Sequence, residues 1–361
     1  MRTTTGSDGW QGSGEPGEEP VETPGEKPPG NGEGRRAGAH SRVSAGHAAS
    51  TAETSRSRLL TGSSARQSPT RRSADELRWS LARHLTDRDR NLVRLVARHR
   101  VLTTPQLARL FFDSHKRASA RLNELLALRV VERFRPHRDA WGAHPWHWVL
   151  GPLGAGLLAA ERDDDPDKAS RRWRGERVLA YATGQRLAHL VGTNEVFVSL
   201  AEHDRRTDGA RMVEWLTEVE GAQWSRGIVR PDGLGVWEEG GQSVEFFLEY
   251  DRGTETLGRL VRKLRDYEKF ESERGASSWV LFMFESERRE QGARDALAGA
   301  TVPVATAAVM RPHDAVWLPL GGMYGRVRLA SLADVPKPPA AVERAERGSN
   351  RVWHYDRSRD V

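Results

Sequence analysis

The sequence predicts an α+β / α/β chain with two folded parts between polar tails. Three observations predict it. Large apolar residues are nearly missing before about Ser73. Between Thr86 and Leu150, three short helical patterns are followed by two strand patterns. Beyond Thr183, amphipathic helical stretches alternate with short apolar runs such as Trp279–Phe284. The chain divides on this pattern into a tail at 1–75, a helix-rich domain at 76–165, a mixed-sheet domain at 166–335 and a polar C-terminal tail at 336–361.

The first tail is rich in Gly, Pro, Ser, Thr, Glu and Arg. Such a segment buries too little surface to offset the entropy of ordering it, so disorder is expected. Its first part is acidic and its second basic, with Arg35, Arg36, Arg71 and Arg72 in the latter. Over all 361 residues, 56 Lys and Arg stand against 50 Asp and Glu, a net charge of +6. A basic balance favours an anionic partner, and nucleic acid is the commonest. No cysteine is present, which excludes disulfides, a zinc finger and a thiol nucleophile. No apolar stretch is long enough to span a bilayer and none reads as a signal peptide, so a cytoplasmic protein without a membrane partner is expected.

Thr86 reads as the N-cap of a first helix, with Asp89 three residues on and Leu92, Val93, Leu95 and Val96 as its apolar stripe. Thr103-Thr104-Pro105 opens a second helix with proline at its start. A third helix is predicted from His115 to Leu128, with Ala118, Leu122, Leu125 and Leu126 inward and Lys116, Arg117 and Asn123 outward. Arg121 falls at its edge. Val130–Phe134 and Trp146–Leu150 then read as two strands of a wing. Three helices and a hairpin make a winged helix-turn-helix, whose third helix enters the major groove of double-stranded DNA. Lys116, Arg117, Arg121 and Asn123 are the candidate DNA-binding residues. His144 and His147 lie three apart on a strand, which turns them to opposite faces, so solvated wing histidines are expected.

Gly151–Ala160 reads as a helix and Asp163–Asp167 as a solvated break. A long helix is expected from Thr183 to Arg205, carrying His189, Asn194 and Glu195. Met212–Val219 is the next strand. Pro231-Asp232-Gly233 marks a turn into Leu234–Trp237, and Glu238–Gln242 reads as a hairpin loop of the longer kind. Val244–Asp251 follows as a strand with Val244, Phe246, Leu248 and Tyr250 on one face and Glu245, Phe247, Glu249 and Asp251 on the other. Then come a helix at Thr254–Phe270, a buried strand at Trp279–Phe284, a charged helix at Ser286–Ala298 and a last strand at Val302–Val309.

The pairing of these strands carries the chemistry. Asp232 opens one strand and can face Glu249 and Asp251 at the end of its neighbour. Three carboxylates together repel one another unless a cation sits among them, and oxygen ligands suit Mg²⁺ or Mn²⁺. Asp232, Glu249 and Asp251 are the candidate metal ligands, and with Lys263 they are the candidate catalytic residues.

Pro231-Asp232, a hairpin and Glu249-x-Asp251 resemble the core of restriction-endonuclease-like nucleases. That pattern has a lysine two residues after the glutamate, where this chain has Asp251. Either Asp251 is a further metal ligand or Lys263 reaches the site from the following helix. The string Phe247-Leu248-Glu249-Tyr250-Asp251-Arg252-Gly253-Thr254-Glu255, followed by Lys263 and Tyr267 and preceded by a winged helix, resembles the replication-relaxation family of actinobacterial plasmids and integrative elements. The resemblance runs from about Leu85 to Leu320. It implies a DNA-binding accessory protein of a mobile element, acting in replication, relaxation or transfer alongside other replication or transfer proteins. A Mg²⁺-dependent nickase or endonuclease using Asp232 and Glu249 is the alternative. A winged-helix transcriptional regulator with a non-catalytic second domain is another.

Overall fold

The structure, a computed structural model, describes residues 84–136, 144–173, 185–322 and 324–339. The tail before Ser73 and the residues from 340 onward lie outside these ranges. Among the described residues no helix is long and apolar enough to cross a membrane.

Helix α1 (Asp87–His99) starts where the sequence places its cap: Thr86 accepts from Asp89 N, and Asp89 reaches back to Thr86 N at 2.9 Å. A reciprocal cap of this kind stabilises a helix start by about 1 kcal/mol. Helix α2 (Thr104–Phe111) repeats the device with Thr103 and Gln106, and Pro105 sits in its first turn. Helix α3 (His115–Ala127) buries Ala118, Leu122 and Leu125. Strands β1 (Leu102–Thr103), β2 (Val131–Phe134) and β3 (His147–Leu150) form an antiparallel sheet in the order β1-β3-β2. Two residues of β1 cannot show a period, so this third strand is not visible in the sequence pattern. His147 is buried rather than solvated: it stacks on Phe134 and its Nδ1 meets Pro145 O at 2.9 Å.

Helix α4 (Pro152–Ala160) leads into a second correction. The acidic run is a helix start, because Asp165 caps the amides of Asp167 and Lys168 ahead of α5 (Pro166–Arg172). Helix α6 (Gln185–Asp204) then packs on α2, with Gln106 Nε2 donating to Val191 O at 3.0 Å and Arg109 paired with Glu195 and Glu202. Asn194 donates to Val101 O at 3.0 Å. His99 stacks on Trp215 at 3.9 Å. The first helices and the second half of the chain thus share one core, which runs from Leu92 and Leu122 through Phe197 to Phe246 and Leu281.

The second half is a mixed α+β arrangement on a six-stranded mixed sheet of order β4-β5-β6-β7-β8-β9. Its strands are β4 (Ala210–Thr217), β5 (Gly233–Glu239), β6 (Gln242–Asp251), β7 (Trp279–Phe284), β8 (Val304–Ala307) and β9 (Leu318–Pro319). Strand β7 is parallel to both β6 and β8, and the other pairs are antiparallel. Every residue of β7 is buried. Trp279, Leu281 and Met283 join the core on the α6 side, and Val280, Phe282 and Phe284 join the opposite core. Strand β6 follows the same parity, so Glu249 lies on the face covered by α8 (Leu257–Arg274), where Phe247 meets Tyr267 at 5.0 Å.

Three boundaries differ from the sequence expectation, each for a local reason. Strand β4 stops at Thr217 because that residue caps α7 (Glu218–Trp224) with Glu220, which draws Val219 into a helix. The β5–β6 hairpin turns on Gly240-Gly241 alone, with φ of 62° and 80°, the two positive angles that a two-residue turn demands. Helix α8 begins at Leu257, since Gly253 has φ 76° and Thr256 takes the cap position. Helix α9 (Glu287–Leu297) keeps its expected start at Ser286.

Candidate functional site

The site forms where β5 begins and β6 ends. Asp232 N donates to Leu248 O at 3.0 Å, and Asp232 Oδ2 accepts from Tyr250 N at 2.8 Å. These bonds fix Asp232 beside Glu249. Helix α6 supplies His189, whose Nε2 lies 2.9 Å from Asp232 Oδ1. Gly192, one turn along α6, lets Tyr250 come close: a Cβ there would stand 2.2 Å from the ring. Helix α8 supplies Lys263 and Tyr267, which share a face four residues apart. Lys263 Nζ lies 2.7 Å from Glu249 Oε2 and 3.4 Å from Glu255 Oε2, while Tyr267 donates its hydroxyl to Glu249 Oε1.

Burial decides the electrostatics. Glu249 is 2% exposed. Loss of water around its carboxyl, with Asp232 nearby, pushes its pKa up to about 7, against the pull of Lys263 and Tyr267. Burial opposes charge on Lys263 as well, but Glu249, Asp232 and Glu255 together raise its pKa, so it stays an ammonium. For His189, burial again lowers and the Asp232 hydrogen bond and charge raise, with a net upward shift.

The structure therefore brings Asp232, Glu249 and Lys263 together and adds His189 and Tyr267. It gives Asp251 a different partner. Asp251 Oδ2 accepts from Arg289 Nη2 at 2.7 Å and Nε at 3.1 Å, and Oδ1 accepts from Gly253 N. Among the described residues no group of three or more His, Asp or Glu side chains is placed to hold a metal ion. The positive charge among the acids is Lys263, from the helix that follows. Glu195 forms a tie between helices, with Arg109 on one oxygen and Gln106 on the other.

Of the residues on the third helix, Lys116, Arg117 and Asn123 are exposed. Arg117 pairs loosely with Asp113 at 3.3 Å across open surface. Arg121 is committed inward. Its Nη2 lies 2.6 Å from Asp89 Oδ2 and its Nε 3.1 Å from Asp89 Oδ1, and it also donates to His84 O at 2.8 Å. Asp89 has no exposed surface, and the half-buried Arg121 is the partner that joins α3 to the start of α1.

A cleft of about 590 Å³ opens from this cluster, with His189 and Asp232 in its wall. Arg98 and Arg100 at the end of α1, Arg186 on α6 and Arg252 after β6 line it as well. Arg100 is the centre of a γ-turn at φ 67° and ψ −52°, closed by Val101 N donating to His99 O at 2.7 Å. A positive-φ γ-turn on a non-glycine residue costs about 1–3 kcal/mol and persists only where the surroundings hold it. The cleft was not legible as a cavity in the sequence. Of its α6 wall the sequence singled out His189 and Asn194; Arg186, Leu190 and Thr193 join them at helical spacing, a signal that could have found them.

The fold and site define an α+β protein with a buried carboxylate–lysine cluster opening on a basic cleft. The chain belongs to the replication-relaxation family, whose model matches residues 93–278. That span holds α3, the three-stranded sheet, and all of Asp232, Glu249 and Lys263. No curated protein and no solved structure matches the chain.

Proposed function

We propose that this chain is a DNA-binding protein that acts in the replication or relaxation of mobile DNA such as a plasmid. Residues 87–150 would be a winged helix-turn-helix with α3 as its groove-reading helix, and the second half a restriction-endonuclease-like scaffold. The family match supports the replicative role. The observation that carries DNA binding is the outward face of α3. Lys116, Arg117 and Asn123 are all exposed there, and Arg133 from β2 donates to Asn123 Oδ1 at 2.8 Å. Arg133 and Arg135 each stack 4.0 Å from Trp146, so basic side chains of the hairpin stand beside those of the helix. A helix face of this composition suits phosphate contact and groove entry. The test is fluorescence anisotropy on a short duplex across a salt series. Lys116→Ala with Arg117→Ala should weaken binding and flatten the salt slope by about 1.8 for two lost phosphate contacts. An unchanged slope would remove α3 as the duplex reader.

Cleavage of a phosphodiester is a second reading, favoured by Lys263 lying within 2.7 Å of Glu249 beside Asp232. Asp232 and Glu249 would hold a Mg²⁺ or Mn²⁺ ion, which supplies charge to a phosphate and lowers the pKa of bound water. All four of their oxygens already accept from Lys263, Tyr267, His189 or Tyr250 N, so an ion would have to share those oxygens or displace a donor. Melting with and without Mn²⁺ decides this. On this reading metal should raise the melting point of the native chain, and Asp232→Asn should abolish the rise. An indifferent melting point, with no nicking of supercoiled plasmid, would reject it.

A further inference from the structure

We infer that the cleft between α1, α6 and the end of β6 binds single-stranded nucleic acid, its backbone phosphates held by Arg100 and Arg186. The inference rests on the nucleic-acid reading above, but on different residues.

Size comes first. A cleft of about 590 Å³ is in the range that encloses a small ligand or a few linked groups, and it is far too small for a duplex. Charge comes second. Arg98 is offset by Glu220 at 2.6 Å and Arg252 by Glu285 at 3.1 Å. Arg100 and Arg186 are exposed, and among the described residues neither has a hydrogen-bond or ion-pair partner. His189 lies in the same wall and is likewise offset, by Asp232 at 2.9 Å. Against these two cations the wall holds three acids, of which Asp232 pairs with His189 and Glu255 with Lys263, leaving Glu218, so the balance still favours an anion there.

Two buried polar atoms in the lining point the same way. His99 is 2% exposed and Thr193 4% exposed, and among the described residues His99 Nε2 and Thr193 Oγ1 have no hydrogen-bond partner. Polar groups buried without a partner are rare in native proteins and ask for an explanation, such as a missing ligand. Trp215 in the lining is buried, stacked on His99 and Phe197, and the exposed apolar surface of the wall is Val219, which is 45% exposed. Phosphate-holding cations beside a surface that a base can cover is the arrangement by which proteins take single strands without reading their sequence. The γ-turn at Arg100, just past the end of α1, places that residue in the cleft wall.

The full chain is titrated into labelled short oligothymidylate and, separately, into a labelled duplex. Arg100→Gly combined with Arg186→Ala should weaken oligothymidylate binding about tenfold near physiological salt and reduce its salt slope by about 1.4, with duplex affinity unchanged. Glycine suits the positive φ at 100 and residue 186 is exposed, so the variant should melt as the native chain does. Arg186→Ala alone should give about half the slope change. Lys116→Ala with Arg117→Ala should do the opposite and spare the single strand. Native oligothymidylate affinity in the arginine variants, or no binding by the native chain, overturns the inference. Displacement by thymidine monophosphate at equal concentration also overturns it, since the site would then take a lone nucleotide. Loss of duplex binding alone would count against the proposed role of α3 and leave the cleft standing.

Discussion

Lys263 and the buried Glu249 form a partly buried ion pair, Nζ to Oε2 at 2.7 Å, between the middle of α8 and the end of β6. The lysine comes fourteen residues after the glutamate and approaches from the helix that covers that face of the sheet. Asp251, two residues after Glu249, turns to Arg289 on α9. Each acid at the end of β6 thus has its own cation from a different helix.

Lys263→Met should be costly in a pH-dependent way. Lys263 holds the Glu249 pKa down, so above pH 7 the variant must either bury an uncompensated charge beside Asp232 or take up a proton there. Breaking such a pair costs about 3–5 kcal/mol when fully buried, and about 2 kcal/mol is expected here because Lys263 is partly exposed. Near pH 5 Glu249 already carries a proton, so the loss should shrink. Urea unfolding at the two pH values measures it, and an equal loss at both would show that Glu249 is not the group left unpaired.

Two titrations should oppose each other in acid. The folded pKa of Glu249, about 7, lies above its ordinary 4.5, so the folded chain keeps a proton that the unfolded chain gives up. Its contribution to stability is present at low pH and is lost between about 4.5 and 7 as pH rises. His99 runs the other way. Burial next to Arg98 drops its pKa to about 3, below the ordinary 6.5, so its contribution is lost as pH falls from about 6.5 towards 3. Each group is worth at most about 1.4 kcal/mol per pH unit in its window. Glu249→Gln should therefore steepen the acid loss between pH 4.5 and 6.5. His99→Phe, which keeps the stack on Trp215, should remove that loss. Parallel stability–pH curves for the two variants would contradict both assignments.

Arg121→Ala should act on folding. It strips the buried Asp89 carboxylate of its bidentate partner and should cost about 3 kcal/mol. Burial raises the pKa of Asp89, but the hydrogen bonds from Arg121 and Thr86 outweigh it, and the net shift is downward. The stability this provides is present above the ordinary carboxylate range and lost as pH falls below it. Chemical denaturation tests the cost. Duplex affinity per folded molecule should stay close to native, in contrast to Lys116→Ala.

Helix starts and strand faces were legible in the sequence because short-range rules set them. Thr86 with Asp89, Pro105 after Thr103, and Ser286 are caps that act within one turn. The unbroken apolar run of β7 and the alternation of β6 follow from which faces must be covered, so Glu249 was assignable to the face opposite Tyr250. Neighbouring strands also put Asp232 beside Glu249. What only the tertiary structure decided is which cation meets which acid. Lys263, Arg289, His189 and Arg121 reach their partners across 14 to 43 residues of chain, and no local period encodes such distances. Arg121 shows the consequence. Its place at the edge of α3 was readable, but its direction was set by an uncompensated carboxylate at the start of another helix, because a buried charge takes the nearest cation that geometry allows.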